Sequence, residues 1–99
     1  MIPFTTPKHI FRFGFTAELF AEARIVYKQN DVVVVEKSLA DCEKSGNSLI
    51  LRLTQEDTGK FKNNIKAKVQ IHYRTTEGVV DATQPKVVSV GEILKSEVL

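Results

Sequence analysis

Apolar residues recur at every second position over much of the chain, a pattern typical of β-strands that turn one face to a core. The stretch "IKAKVQIHYRT" shows it most clearly, because Ala67, Val69, Ile71 and Tyr73 alternate with polar residues. The stretches "HIFRFGF", "ARIVYKQ", "SLILRLT" and "KVVSVGEIL" are similar but less regular. A further stretch, "VVVVEK", follows the turn residues "QND" and is predicted to form a hairpin with "ARIVYKQ". The pattern predicts an all-β chain of about seven strands.

Two segments depart from this alternation. In "TAELFAEA", Thr16 is predicted to cap one or two helical turns that carry Leu19, Phe20 and Ala23 and cross between the first and second strands. The segment "SLADCEKSGNS" is predicted to be a loop with room for one helical turn.

A chain of 99 residues, 42% hydrophobic and 26% charged, predicts one globular domain spanning residues 1–99. All-β domains with such strand spacing close as sandwiches or small barrels, and we expect an immunoglobulin-like two-sheet sandwich. The predicted core contains Phe11, Phe13, Phe15, Leu49, Leu51, Leu53, Val69, Ile71 and Tyr73.

Charge and targeting signals narrow the function only slightly. The net charge of +2 is too small to indicate nucleic acid or an anionic membrane as the partner. The lone Cys42 has no disulfide partner within the chain, and the opening "MIPFTTPKHIFRF" lacks the features of a signal peptide, so we expect synthesis in the cytoplasm. The longest apolar run, residues 32–35, is far too short to span a membrane, and no membrane contact is expected.

The stretch "LTQEDTGKF" places Glu56 beside Asp57 between two apolar segments. A general acid/base pair is one interpretation, but no histidine, nucleophile or glycine-rich phosphate loop is nearby in the sequence to complete such a site. The favoured interpretation is a corner between strands, analogous to the immunoglobulin corner, with Phe61 in place of tyrosine and Asn63 in place of cysteine. Thr54 or Asp57 would cap a helical turn there. Gly59 would relieve backbone strain and Phe61 would close the edge of the core.

Other reactive side chains give no pattern of a catalytic or metal site. His9 and His72 lie far apart with no recognisable ligand spacing, and both are expected at the surface or rim. Cys42 lies between Asp41 and Glu43, whose charges disfavour a thiolate nucleophile. We therefore expect no enzymatic activity, cofactor, metal or small-molecule substrate.

A basic run provides the main local binding signal. It contains no acidic residue and consists of Lys60, Lys62, Lys66, Lys68 and Arg74. Phe61 and Tyr73 would supply rings for stacking on single-stranded nucleic acid. However, Tyr73 alternates onto the apolar face, and lysines on the solvent face of a sheet also protect it from edge pairing. Nucleic-acid binding is therefore kept as an alternative function.

The final stretch "VGEILKSEVL" carries much apolar surface, contributed by Ile93, Leu94, Val98 and Leu99. These residues are expected either to dock on the domain's own core or to contact a partner, and docking is the preferred prediction because monomers seldom expose large apolar patches.

The stretches "PFTTPKHIFRFGF", "VYKQND", "LTQEDTGKF", "VQIHYRTTEG" and "VGEILKSEVL" together resemble small proteins encoded in prophages of Firmicutes, often near tail or other virion genes. The resemblance spans nearly the whole chain, and its motifs are structural rather than catalytic. It implies a phage structural or accessory protein, such as a tail or baseplate component with an immunoglobulin-like module. Such a protein would contact other phage structural proteins or copies of itself by β-augmentation, in the bacterial host cytoplasm and then in the virion.

Overall fold

Eight β-strands form two antiparallel sheets in the computed structural model, which describes the whole chain from Met1 to Leu99. The strands are β1 (Lys8–Arg12), β2 (Phe20–Gln29), β3 (Val32–Ser38), β4 (Cys42–Ser45), β5 (Ser48–Arg52), β6 (Ala67–Thr75), β7 (Val80–Ala82) and β8 (Lys86–Val88). The smaller sheet has the order β1-β5-β4. The larger sheet has the order β3-β2-β6-β7, and β8 also pairs with β6. The predicted all-β sandwich is confirmed, with eight strands in place of about seven.

Short helical turns connect strands of different sheets. A 3-10 turn at Ala17–Leu19 joins β1 to β2, and a second at Leu39–Asp41 joins β3 to β4. The single α-helix, α1 (Gln55–Gly59), joins β5 to β6. None of these helices has the length and apolar character needed to cross a membrane.

The strand order matches an immunoglobulin domain without its first strand. In that scheme β1, β5 and β4 correspond to strands B, E and D, and β3, β2 and β6 to strands C′, C and F, while β7 and β8 share the place of strand G. Tyr27 is fully buried on β2, where immunoglobulin domains carry a tryptophan on strand C. The helix α1 lies at the E–F corner, so the sequence "LTQEDTGKF" occupies the corner to which it was compared.

The core lies between the facing sides of the two sheets. The buried members of the predicted core are Leu49, Leu51, Leu53, Val69 and Ile71, and the half-buried members packed against them are Phe11, Phe13, Phe15 and Tyr73. One end of the core is aromatic, because the rings of Phe13, Phe15, Phe20 and Tyr73 lie with centroids 4.8–5.8 Å apart. Aromatic pairs of this kind add about 0.5–1.5 kcal/mol each beyond their buried area.

Two local predictions were partly wrong. Thr16 caps a helical turn that carries Leu19, as predicted, but Phe20 and Ala23 belong to β2. A bulge in the pairing between Phe20 and Glu22 lets Phe20 and Ala23 both face the core at a helix-like spacing of three. The segment after Asp41 was predicted to be a loop, but Cys42–Ser45 forms β4 and pairs with β5 across the turn at Gly46. This strand is short and mostly exposed, so it carries no apolar alternation.

Candidate partner-binding edge and basic surface

The two acidic residues at the corner have different environments, because Asp57 has a structural role and Glu56 faces the solvent. The Thr54 Oγ1 accepts a hydrogen bond from the Asp57 N–H (3.1 Å), and an Asp57 carboxylate oxygen accepts one from the Thr54 N–H (3.0 Å). These two bonds form a capping box at the start of α1, and the predicted cap is confirmed. Lys37 on β3 contacts the same carboxylate oxygen at 2.9 Å. Glu56 is exposed.

The environment of Asp57 favours its ionised form. Burial alone would raise the pKa of this carboxyl, but the hydrogen bonds from Thr54 and Lys37 and the Lys37 charge outweigh that effect, so the pKa lies below its usual value. A carboxylate held in its charged form by a cap and an ion pair is suited to stabilising the corner. It is a poor proton donor at neutral pH.

Gly59 allows close packing and does not relieve backbone strain, which was the predicted role. Its backbone is not left-handed, since the glycines with positive φ are Gly46 and Gly78. A Cβ at Gly59 would lie 2.6 Å from the ring of Phe4, so glycine is required by close packing and not by strain. Phe61 is buried with its ring edge-on to Tyr27, at a centroid distance of 5.8 Å, and the prediction that it closes the core is confirmed.

The two histidines lie in different environments. His72 is exposed on the outer face of β6, as predicted, whereas His9 is half-buried on the inner face of β1. The Tyr27 hydroxyl and His9 Nδ1 form a hydrogen bond of 2.6 Å, which links the two sheets. Burial lowers the pKa of His9, with a smaller contribution from the N-terminal amine, and burial raises the pKa of Tyr27. Both groups are therefore neutral at pH 7.

Cys42 is half-buried, and its thiol points to the Ser38 carbonyl at 3.7 Å. Burial, followed by the charge of Asp41, raises the pKa of Cys42 to about 11. The thiol is thus protonated at neutral pH, as its acidic neighbours in the sequence suggested.

The structure divides the basic run among three places. Lys66 and Lys68 lie on the outer face of the larger sheet. Lys60 and Lys62 lie beside β3. Arg74, at the far end of β6, is ion-paired with Glu22 at 3.2 Å.

The two rings expected to stack on bases are not available. Phe61 is buried in the core, and Tyr73 packs within the aromatic end of the core. The five basic residues and two rings therefore do not assemble into one interface for single-stranded nucleic acid. Lys28 was missed by the sequence reasoning, because only the pairing of β2 with β6 brings it opposite Lys68.

β3 forms one edge of the larger sheet. β3 pairs with β2 on one side only, and at 7 residues it is the longest edge strand. Val32 and Val33 at its start are 64% and 52% exposed. A bulge at Val34 follows, since Val35 pairs with Tyr27 but Val33 pairs with Lys28. The exposed valines make the start of this edge apolar, and the bulge makes its backbone irregular.

A groove of about 310 Å³ lies beside this edge and has Val32, Val33, Val34, Lys60 and Lys62 among its lining residues. The buried Gln29 holds the lysine-bearing loop in place. Its side-chain amide donates to the carbonyls of Lys62 and Ile65 at 3.0 and 2.8 Å, and its oxygen accepts from the Lys62 N–H at 2.8 Å. These bonds hold the backbone of the loop that carries Lys60 and Lys62 next to the start of β3.

Most of the final segment does not dock on the domain's own core, which was the preferred prediction. Val90 is buried, and the Gly91 N–H donates to the Met1 carbonyl at 2.7 Å, but no regular structure follows. Leu94 and Leu99 are 95% and 96% exposed, Val98 is exposed, and only Ile93 is half-buried. Docking on the domain's own core was thus the wrong prediction for three of the four residues.

Comparison of the chain with protein-family models, with curated proteins and with solved structures found no match.

Proposed function

We propose that this protein is a non-enzymatic assembly module that binds another protein by adding a strand to the free edge of β3. The observation that carries the proposal is the open edge itself: seven residues paired on one side only, beginning with two exposed valines. Strand addition supplies main-chain hydrogen bonds, while side-chain pockets beside the edge supply specificity.

The other edges are better protected. β7 and β8 have 3 residues each and are separated by a segment that contains Pro85. β4 has 4 residues and carries Glu43 and Lys44, and β1 begins directly after Pro7 with Lys8. Short strands, prolines and charges of this kind prevent unwanted pairing. β3 also has a bulge at Val34 and charges at its end, but it is the longest edge strand and begins with two exposed valines.

The residues along the β3 edge indicate which side chains a partner strand should carry. A strand seated there would place apolar side chains against Val32 and Val33, and acidic side chains near Lys60 and Lys62. The exposed Leu94, Val98 and Leu99 offer a second apolar contact.

Together with the prophage resemblance, these features support a role as a structural or accessory protein of a phage. The partner would be another virion protein, for example in the tail or baseplate.

Induction of a prophage that encodes the chain provides the test. We expect the wild-type protein to appear in purified particles by mass spectrometry and the Val33→Lys variant to be lost from them, because a lysine ammonium would be desolvated against the incoming strand. The matched control is Val87→Lys on β8, where the valine is 61% exposed, and this variant should be incorporated normally. Absence of the wild-type chain from particles, or equal incorporation of both variants, would contradict the proposal.

A further inference from the structure

A depression of about 480 Å³ on the outer face of the larger sheet contains three lysines, Lys28, Lys66 and Lys68. Lys28 on β2 stands directly opposite Lys68 on β6. Lys66 precedes Lys68 by two positions on the same exposed side, which corresponds to about 7 Å along an extended chain. Three lysine side chains thus line one concavity, here named the lysine depression.

These lysines are not neutralised by the protein. None of them makes an ion pair, whereas at the other end of the same sheet Glu22 pairs with both Arg24 and Arg74 at 3.2 Å. Like charges directly opposite each other on neighbouring strands are destabilising. Asp31 is the one acidic residue among those that line the depression. The free protein therefore carries a local positive field that an anionic ligand would relieve.

The lining of the depression restricts the class of ligand. Besides the lysines it presents the amides of Asn30 and of Gln70, whose Nε2 already donates one hydrogen bond to the Thr83 carbonyl at 2.9 Å, and Val26 is the one hydrophobic residue among the eight that line it. Protein interfaces have a larger apolar centre, enriched in aromatic residues, than Val26 and Pro85 provide here. No aromatic ring lines the depression, so nothing is available to stack on exposed bases. Ammonium and amide donors without aromatic surface are suited to phosphate oxygens.

We propose that the lysine depression binds the phosphate backbone of duplex nucleic acid without sequence preference. The site lies on the sheet face and shares only Asn30 with the residues that line the groove beside β3, and the inference does not depend on the assembly role. Contacts by three lysines predict that the logarithm of the binding constant falls with the logarithm of salt concentration at a slope of about −2.7. Between about 50 and 200 mM salt the affinity should fall roughly 40-fold.

Fluorescence anisotropy with a short labelled DNA duplex tests this inference. The double variant Lys66→Gln/Lys68→Gln should retain one phosphate contact, so its affinity should fall only about three- to fourfold over the same salt range. The matched control is Lys60→Gln/Lys62→Gln, which removes the same charge from the β3 groove and should keep most of the wild-type slope. Thermal unfolding of each variant confirms that it is folded.

Several results would overturn the inference. Undetectable binding of duplex DNA by the wild-type protein at about 50 mM salt would do so. Equal losses in the two double variants would show attraction to net charge rather than to this site. Competition by poly-glutamate as strong as that by unlabelled duplex would show a site for carboxylates, and much tighter binding of single strands would show that bases are being stacked.

Discussion

At the residue scale, side chains that the sequence offered as candidates for catalysis have structural roles. Asp57 caps α1 and pairs with Lys37, while Tyr27 is hydrogen-bonded to His9 across the core. The cap was predictable because Thr54 and Asp57 have the spacing of a capping box. The bond between His9 and Tyr27 could not be predicted, because it joins β1 to β2 across the sandwich and the local sequence pattern does not indicate it.

Substitution of Gly59 tests the close packing at the corner. Gly59→Ala should lower the free energy of unfolding by about 1 kcal/mol, because the new methyl group displaces the Phe4 ring from the α1 backbone. Urea denaturation measures the change. The matched control is Gly14→Ala, where a Cβ has nothing within 4 Å and the effect should stay within about 0.5 kcal/mol. In a Phe4→Ala background the cost at Gly59 should largely disappear, and persistence of the full cost would contradict this explanation.

The burial of His9 predicts a dependence of stability on pH. The pKa of His9 is lowered in the folded protein, so the unfolded chain takes up a proton first as the pH falls. Stability should be at its full value above about pH 6.5 and decrease as the pH falls below it. Urea midpoints measured across this range should lose the dependence in a His9→Phe variant. The exposed His72 supplies the control, because His72→Gln should keep it, and the reverse outcome would show that His9 is not the titrating group.

At the element scale, alternation predicted the long strands and failed where a strand is short or irregular. β6 was evident because its apolar positions repeat without a break. The bulge between Phe20 and Glu22 imitates a helical spacing, and the four-residue β4 carries no apolar face. Bulges and edge strands are set by pairing with neighbours, so a pattern read along one segment does not contain them.

The two neighbouring acids on α1 should respond differently to substitution. Asp57→Ala should cost about 1–3 kcal/mol, because it removes the cap and leaves Lys37 half-buried without its partner. Glu56→Ala is the control, and the change at this exposed position should stay within about 0.5 kcal/mol. Chemical denaturation of both variants provides the comparison. Equal effects of the two substitutions would contradict the role of Asp57 as a cap.

At the scale of the whole molecule, the sandwich decides which predicted site residues meet. The basic run is continuous in the sequence but is separated in space, because its first part lies in the loop after α1 and its last part at the far end of β6. The crossover from β5 to β6 places Lys60 and Lys62 beside β3, and strand pairing brings Lys28 from a distant segment to Lys68. The fold class followed from alternation, whereas both surfaces required the strand order.

Hydrogen exchange of backbone amides, followed residue by residue by NMR on dilute protein, tests the central claim most directly. β2 lies between β3 and β6, so its amides at Ile25 and Tyr27 should exchange slowly. β3 has one free side, so alternate amides from Val32 to Lys37 should exchange rapidly. Slow exchange at every amide of β3, or rapid exchange throughout β2, would contradict a sandwich with an open β3 edge.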